Sequence, residues 1–304
     1  MNWFLIALIG PILWAAVNHI DKYLLSNSFK GSNVGALMLF STLAGAIILP
    51  VLYFINNDIF NLSILNILIL IIVGIMSGLA IMPYMYALDG DEASIVVPLF
   101  QFAPIWGYFL AFIILGETLS WVQIIGCLFI IFGSIIITIE EDIDEKIKFK
   151  KRTIWLMLLS TILIASQETL FKFVAVDTGF VISNFWEQIG LLLMGITLFV
   201  FFRKYRVNFI HLLKTQGKKI LSLNMSNEFI TIIGNLATNF ALILAPVVLV
   251  LTVNSFQPLF VFLFGVIFTV MFPKFCNEKL SKKHMVQKII AILVMIIGTL
   301  LINR

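Results

Sequence analysis

The sequence predicts an all-α integral membrane protein with ten transmembrane helices, arranged as two inverted five-helix repeats. Three observations predict this fold: an apolar composition, the number of long apolar runs, and an internal repeat. Of the 304 residues, 61% are hydrophobic and 12% are charged, and the mean hydropathy is +1.08. A soluble globule of this size cannot bury so much apolar surface, so lipid must be its solvent.

Apolar runs long enough to cross a bilayer follow one another along the whole chain. A hydrocarbon core about 30 Å thick needs roughly 20 apolar residues for each helical crossing. The ten predicted spans are Trp3–Leu25, Asn33–Phe54, Ile64–Leu88, Glu92–Leu115, Trp121–Ile139, Ile154–Val176, Val181–Phe202, Ile220–Leu244, Pro246–Phe272 and Val286–Ile302. The first run contains Asn18 and Asp21 and lacks a basic segment before it, so we interpret it as a span rather than a signal peptide.

Polar sequence is confined to three sizeable stretches, Glu140–Arg152, Arg203–Lys219 and Lys274–Lys283. None is long enough for a soluble domain, so any function must operate within the membrane. The formal net charge of +4 is better explained by lipid headgroups than by nucleic acid, and no nucleic-acid partner is expected.

The first polar stretch divides the chain almost in half, and the two halves carry a similar pattern. Gln101, Pro104 and a Glu-Thr-Leu-Ser segment at Glu117 correspond to Gln257-Pro258 and a Glu-Lys-Leu-Ser segment at Glu278. Five spans in each half is an odd number, so the copies have opposite orientations, and rocking of such repeats can open a central cavity to either side. The predicted domains are a first repeat, 1–139, a charged linker, 140–153, and a second repeat, 154–304.

Motifs of the first half resemble the signature of EamA-type transporters, in the drug/metabolite transporter superfamily. They are Tyr86-Ala-Leu-Asp-Gly-Asp-Glu-Ala-Ser94, Pro98, Pro104, Gly116-Glu117-Thr-Leu-Ser and Gly133, and the second half repeats them as Ala241–Pro246, Gln257-Pro258 and Asn277-Glu278-Lys-Leu-Ser. The second copy departs from the pattern at Asn277, where Gly is usual. The resemblance implies ten helices, a central substrate cavity, and export or exchange of amino acids, nucleotide-like metabolites, sugars or drugs.

The distribution of Lys and Arg bears on orientation in the membrane. These residues lie almost entirely in the odd-numbered loops, which the positive-inside rule places in the cytoplasm, with both termini outside. The family resemblance implies termini in the cytoplasm instead. Both interpretations put the termini on the same side of a plasma or inner membrane.

Span 1 carries a polar stripe. Trp14, Asn18, Asp21 and Lys22 are spaced i, i+4, i+7 and i+8, so an aromatic ring, an amide and two charges share one helix face. We interpret Trp14 and Asn18 as substrate-binding candidates, and Asp21 and Lys22 as gate or charge-pair candidates. The alternative is that Lys22 extends to the headgroups and pairs with Asp21.

Spans 6 and 7 carry a second set of charges. Glu168 precedes Lys172 by four residues, the favourable order for an intrahelical ion pair, and Glu187 lies near the same membrane face. These residues could form a charge cluster at one mouth of the cavity, with Glu168 binding substrate and Lys172 and Glu187 acting as a gate. A structural network that joins span 6 to span 7 is the alternative.

Span 8 is the most polar span. Glu228, Asn235 and Asn239 share one face, and Glu228 is our strongest single site candidate, because a charge within a bilayer needs a partner or an aqueous cavity. Amide bonds between helices explain the asparagines equally well. Glu228 could carry protons if transport is proton-coupled, although no sequence feature shows coupling.

Tyr84, Gln101, Trp106 and Gln257 complete the substrate-binding candidates, with packing as the alternative for the aromatic residues. Glu117 and Glu278 lie at helix ends, where we expect a loop or capping role. The sequence contains no Walker lysine, no Ser/His/Asp constellation and no metal-ligand spacing, so we expect no enzyme, metal or cofactor.

These observations predict a secondary transporter, an exporter of a small polar or amphipathic metabolite such as an amino acid, acting as a monomer or homodimer. A flippase for a lipid-linked sugar or amine is an alternative with the same fold. A membrane protein that only anchors or assembles a partner is the alternative from another class.

Overall fold

A computed structural model describes residues 2–27, 34–90, 96–138, 151–271 and 282–304, and these residues form helices and no strand. The predicted linker therefore lies almost entirely outside the described residues, as do the loop before Pro98 and the Glu278 segment. The α-helices are α1 (Asn2–Asn27), α2 (Val34–Ala44), α3 (Leu49–Ile55), α4 (Ile64–Gly90), α5 (Phe102–Leu115), α6 (Trp121–Thr138), α7 (Lys151–Thr178), α8 (Phe180–Phe201), α9 (Arg203–Thr215), α10 (Lys218–Leu244), α11 (Val247–Asn254), α12 (Gln257–Met271) and α13 (Lys282–Ile302). Short 3-10 helices span Gly45–Ile47, Asn57–Phe60 and Val97–Gln101.

Seven described segments are long and apolar enough to cross a membrane, by length and composition. They are Trp3–Asp21, Leu37–Ile55, Ile64–Ala87, Lys151–Thr178, Phe180–Phe201, Leu221–Leu244 and Val247–Phe268. Three further apolar helices are shorter, at Leu99–Leu115, Trp121–Ile137 and Val286–Ile302. The described residues form an all-helical membrane protein, and the apolar runs among them lie on its helices.

Among the described residues, predicted spans 2 and 9 are interrupted, and predicted span 4 begins with the 3-10 helix Val97–Gln101. Span 2 becomes α2, a 3-10 turn and α3, while span 9 becomes α11 and α12, with a turn at Ser255 and Phe256. Proline explains both breaks, since Pro50 and Pro258 lie in the first turn of α3 and α12. Backbone N–H groups in the first turn have no partner within the helix, so proline, which lacks this group, costs no hydrogen bond there. In contrast, Pro83 lies inside α4, which continues to Gly90.

The Arg203–Lys219 stretch, expected to be a polar loop, contains the helix α9. Arg203–Thr215 has neither Gly nor Pro, and its apolar residues Val207, Ile210 and Leu213 recur at helical spacing. The polar composition concealed this amphipathic helix.

Close helix packing depends on small residues. A Cβ added at Gly74 of α4 would collide with the Glu187 backbone of α8, and one added at Gly190 of α8 would collide with the Ile71 backbone of α4. These contacts bring α4 and α8 together backbone to backbone, the arrangement that small residues permit between membrane helices. The helices α6 and α13 pack against each other in the same way.

The innermost element is α11, whose seven residues from Val247 to Val253 are all buried. Large apolar side chains face outwards elsewhere, including Trp121 at 81% exposure and Phe54 at 78%. Such exposure fits a protein that lipid surrounds. Polar groups must therefore be accommodated between the helices.

Candidate functional site

One group of buried and half-buried polar side chains joins the first and second halves of the chain. We call Asp21, Ser41, Asn227 and Glu228 the Asp21–Glu228 cluster. Asn227 Nδ2 donates to Asp21 Oδ1 at 2.6 Å, and Ser41 Oγ donates to Glu228 Oε1 at 2.8 Å. The two carboxylates also repel each other. The cluster thus places two acidic groups from α1 and α10 at the interface between the halves.

A second group lies within the second half. We call Glu168, Asn184, Glu187 and Asn239 the Glu168–Glu187 cluster. Asn239 Nδ2 donates to Glu187 Oε2 at 2.6 Å and to Asn184 Oδ1 at 2.8 Å. Glu168 Oε2 is buried without a hydrogen-bond partner among the described residues, and its carboxylate repels that of Glu187.

Neither carboxylate of this second cluster is compensated by a described cation. Glu168 is 7% exposed and Glu187 8% exposed, and no described Lys, Arg or His is within ion-pair distance of either. A pair of carboxylates out of water is stable only when protons or a bound cation neutralise the charge. Protons or a bound cation would neutralise this cluster.

The two clusters lie at different depths. Glu228 and Asn239 are 11 residues apart on α10, which is about 17 Å at the helical rise of 1.5 Å per residue. That separation is more than half of a hydrocarbon core about 30 Å thick. The clusters consequently belong to opposite ends of the same helix bundle.

Two of the predicted residues pair with each other between the clusters. Trp14 Nε1 donates to Asn235 Oδ1 at 3.1 Å, which joins α1 to α10. Trp106 Nε1 is buried without a described partner, and Tyr84 packs its ring on Phe100 with centroids 4.8 Å apart. Among the described residues, Trp14 Nε1 has a hydrogen-bond partner and Trp106 Nε1 has none.

The structure pairs Lys172 with a residue other than the predicted Glu168. Lys172 Nζ contacts Glu117 Oε1 at 2.5 Å and donates to Ala245 O at 2.6 Å. Glu117 Oε2 in turn accepts from the Val247 N–H at 2.8 Å, at the first turn of α11. The expected intrahelical pair of Glu168 and Lys172 is wrong, because Lys172 pairs with Glu117 instead. Glu117, for which a loop or capping role was expected, binds the first turn of a helix in the other half.

Both the nitrogen and the oxygen of the Gln101 side-chain amide form hydrogen bonds. Gln101 Nε2 donates to Ser134 Oγ at 2.9 Å, and Ser255 Oγ donates to Gln101 Oε1 at 2.5 Å. Gln257 begins α12 and is partly buried, as is Asn18 of α1. The side chain of Lys22 lies outside the described residues.

A small cavity lies beside the Asp21–Glu228 cluster, and Ser41 is part of its wall. Its volume is about 20 Å³, room for about one water molecule. The lining residues are Leu37, Met38, Ser41, Thr42, Gly78, Ile81 and Met85. An organic substrate does not fit there in this conformation.

Sequence reasoning missed Ser41, Ser134 and Ser255. A hydroxyl in an apolar run was the only available signal, and it has a routine explanation, because serine commonly bonds the carbonyl four residues earlier in its own helix. Which serines reach another helix depends on helix packing.

The model of the EamA-like transporter family matches residues 1–139. This match confirms the resemblance that the motifs of the first half predicted. No curated protein matches the chain. A solved structure titled "Crystal structure of protein" is similar, with a TM-score of 0.71 and 12% identity over 100% of this chain and 98% of that chain. At that identity the similarity supports the fold alone.

The family match and the apolar helices together indicate a multi-pass membrane transporter. The EamA-like family is a family of transporters rather than of enzymes.

Proposed function

We propose that the protein is a secondary transporter that exports a small polar or amphipathic metabolite, such as an amino acid, from the cell across the plasma or inner membrane. Ten spans, seven long and three shorter, form two inverted five-helix repeats, 1–139 and 154–304, with both termini on the same side. Alternating access arises from movement of one repeat against the other. The substrate lies between the halves, near the Glu168–Glu187 cluster.

The observation that carries this proposal is the polar interface between the halves. Asp21 with Asn227, Trp14 with Asn235, and Ser41 with Glu228 each join a residue of the first half to one of the second. Polar groups inside a membrane protein are costly, and they commonly mark a substrate or ion pathway. A protein that only anchors a partner has no need of such an interior.

The polar groups also support a substrate class. Glu168 Oε2 and Gln167 Oε1 are buried acceptors without described donors, whereas the cation of Lys172 is already paired with Glu117. The site thus favours an ammonium group and disfavours a dianion, and Trp106 Nε1 can donate to the carboxylate of a zwitterion. Proton coupling through a buried carboxylate is part of the proposal.

Counterflow into liposomes that contain the purified protein tests both function and site. A pool of labelled amino acids and amines should show saturable uptake, and Glu168→Gln should raise KM about tenfold or more, since a charge-assisted hydrogen bond contributes roughly 1.5–3 kcal/mol. Asp58→Asn is the matched control, because Asp58 is an exposed acid outside the predicted spans.

Uptake of a dicarboxylate that depends on Lys172 would contradict the proposed substrate class. An unchanged KM in Glu168→Gln would remove the carboxylate from the site. Movement of labelled lipid between leaflets, with no solute uptake, would favour the flippase instead.

A further inference from the structure

The basic helix α9 is a feature that the transport site does not use. Residues 203–219 contain six Lys or Arg residues and no Asp or Glu. Among the described side chains, those of Arg203, Lys204, Lys214 and Lys218 are exposed. The described structure gives these four no carboxylate partner, so their charge is directed to the surroundings of the protein.

The apolar side of α9 is wider than the surface it buries. Leu212 is buried and, with Phe209, packs against Leu24 and Phe40. Three other apolar residues of the helix remain exposed: Val207 at 53%, Ile210 at 36% and Leu213 at 43%. Helical spacing places Arg203 and Lys214 on the same exposed face as Val207 and Ile210, opposite the face that packs on the protein. An exposed face that mixes apolar residues with Lys and Arg suits a membrane interface, because the long cationic side chains can extend from the apolar region to the headgroups.

The position of α9 fits that interface. It connects α8, which ends at Phe201, to α10, which begins at Lys218, and both neighbours are long enough to cross a membrane. A helix between two such segments lies where they leave the bilayer. Exposed Ile210 and Leu213 can then contact acyl chains while the cations reach the headgroups.

Side chains of α9 also contact α2 and the end of α4. The hydroxyls of Tyr205 and Tyr86 lie 2.9 Å apart, and the rings of Phe209 and Phe40 have centroids 4.6 Å apart. The Tyr86 hydrogen bond, and then partial burial, raise the pKa of Tyr205 to about 12, so its hydroxyl stays protonated at physiological pH. The ring of Tyr205 also packs on Gly35, where a Cβ would collide with it.

We propose that α9 is a docking surface for the anionic phospholipid surface of the bilayer, and that docking stabilises its contacts with α2 and α4. Charge complementarity identifies the occupant, because residues 203–219 carry six cations, four of them on α9, and no acid, and such a stretch attracts anionic headgroups. The exposed apolar residues favour a bilayer over a soluble polyanion, which would leave them in water. This surface is separate from the substrate site, so its test does not depend on transport.

The test measures binding of short-chain phosphatidylglycerol to the purified full chain, with phosphatidylcholine as the comparison lipid. We expect phosphatidylglycerol to bind more tightly, with an affinity that falls as salt rises. Arg203→Gln with Lys204→Gln should weaken that binding about fivefold for each cation removed. Hydrogen exchange of the α9 amides should slow when phosphatidylglycerol is present in nanodiscs.

The matched control exchanges the two cations, Arg203→Lys with Lys204→Arg, and should bind phosphatidylglycerol like the wild type. Equal affinity for the two lipids, or undiminished affinity in the neutralised variant, would overturn the proposal. So would full competition by glycerol phosphate or RNA, which would assign the surface to a soluble anion. Melting in phosphatidylcholine nanodiscs verifies that the neutralised variant is folded.

Discussion

The Asp21–Glu228 cluster and the Glu168–Glu187 cluster contain similar side chains but differ in which parts of the chain they join. In the first, both hydrogen bonds to a carboxylate cross between the halves, from Asn227 to Asp21 and from Ser41 to Glu228. In the second, every member lies after residue 154, and Glu168 keeps an oxygen without a described partner.

This difference separates two roles for a buried carboxylate. Contacts that cross the interface must break whenever the halves move apart, so they set the relative energies of conformations. Contacts inside one half can persist through such movement and keep a ligand site preorganised. The first cluster is therefore suited to stabilising one conformation relative to another, and the second is suited to binding a ligand.

The largest expected effect concerns another contact across the interface, the pair of Lys172 and Glu117. Their side chains are 12% and 15% exposed, and removing one partner of a buried pair costs roughly 3–5 kcal/mol. Lys172→Met should lower the free energy of unfolding by that amount in denaturation of the purified protein. Lys151→Met, at an exposed lysine of the same helix, is the control, and equal losses in the two variants would show that the pair contributes nothing.

An intermediate effect distinguishes the two clusters directly. Ser41→Ala and Asn239→Ala each remove a donor from a buried carboxylate, and each should cost about 2 kcal/mol of stability. Only Ser41→Ala should change the maximal rate of counterflow, because its bond crosses between the halves. Asn239→Ala should mainly raise KM, and the reverse pattern would exchange the two assigned roles.

The smallest expected effect is at Trp14. Trp14→Phe removes the 3.1 Å hydrogen bond to Asn235 and should cost about 1 kcal/mol, the usual net contribution of a neutral bond. Melting temperature in detergent measures the loss. Trp121→Phe, at a residue 81% exposed, should leave the melting temperature unchanged, and a comparable decrease there would assign the effect to aromatic volume instead.

Sequence pattern predicted the elements better than it predicted their contacts. The predicted span Ile64–Leu88 corresponds to α4, Ile64–Gly90, and the predicted span Trp121–Ile139 corresponds to α6, Trp121–Thr138. The pattern overlooked α9, because its polar composition masked a helical spacing of apolar residues. A helix that crosses lipid can thus be recognised from a local run of apolar residues. A helix at the membrane interface is harder to recognise in this way.

The sequence by itself determined that this chain lies in a membrane, where its helices run, and which of them carry acidic and amide groups. These are properties of runs of residues, set by the apolar length that a bilayer requires. Only the tertiary structure decided that Lys172 meets Glu117, that Ser41 meets Glu228, and that Glu168 Oε2 has no hydrogen-bond partner in the described part of the chain. Each of those outcomes depends on which helix faces lie together, and spacing within one helix carries no information about that.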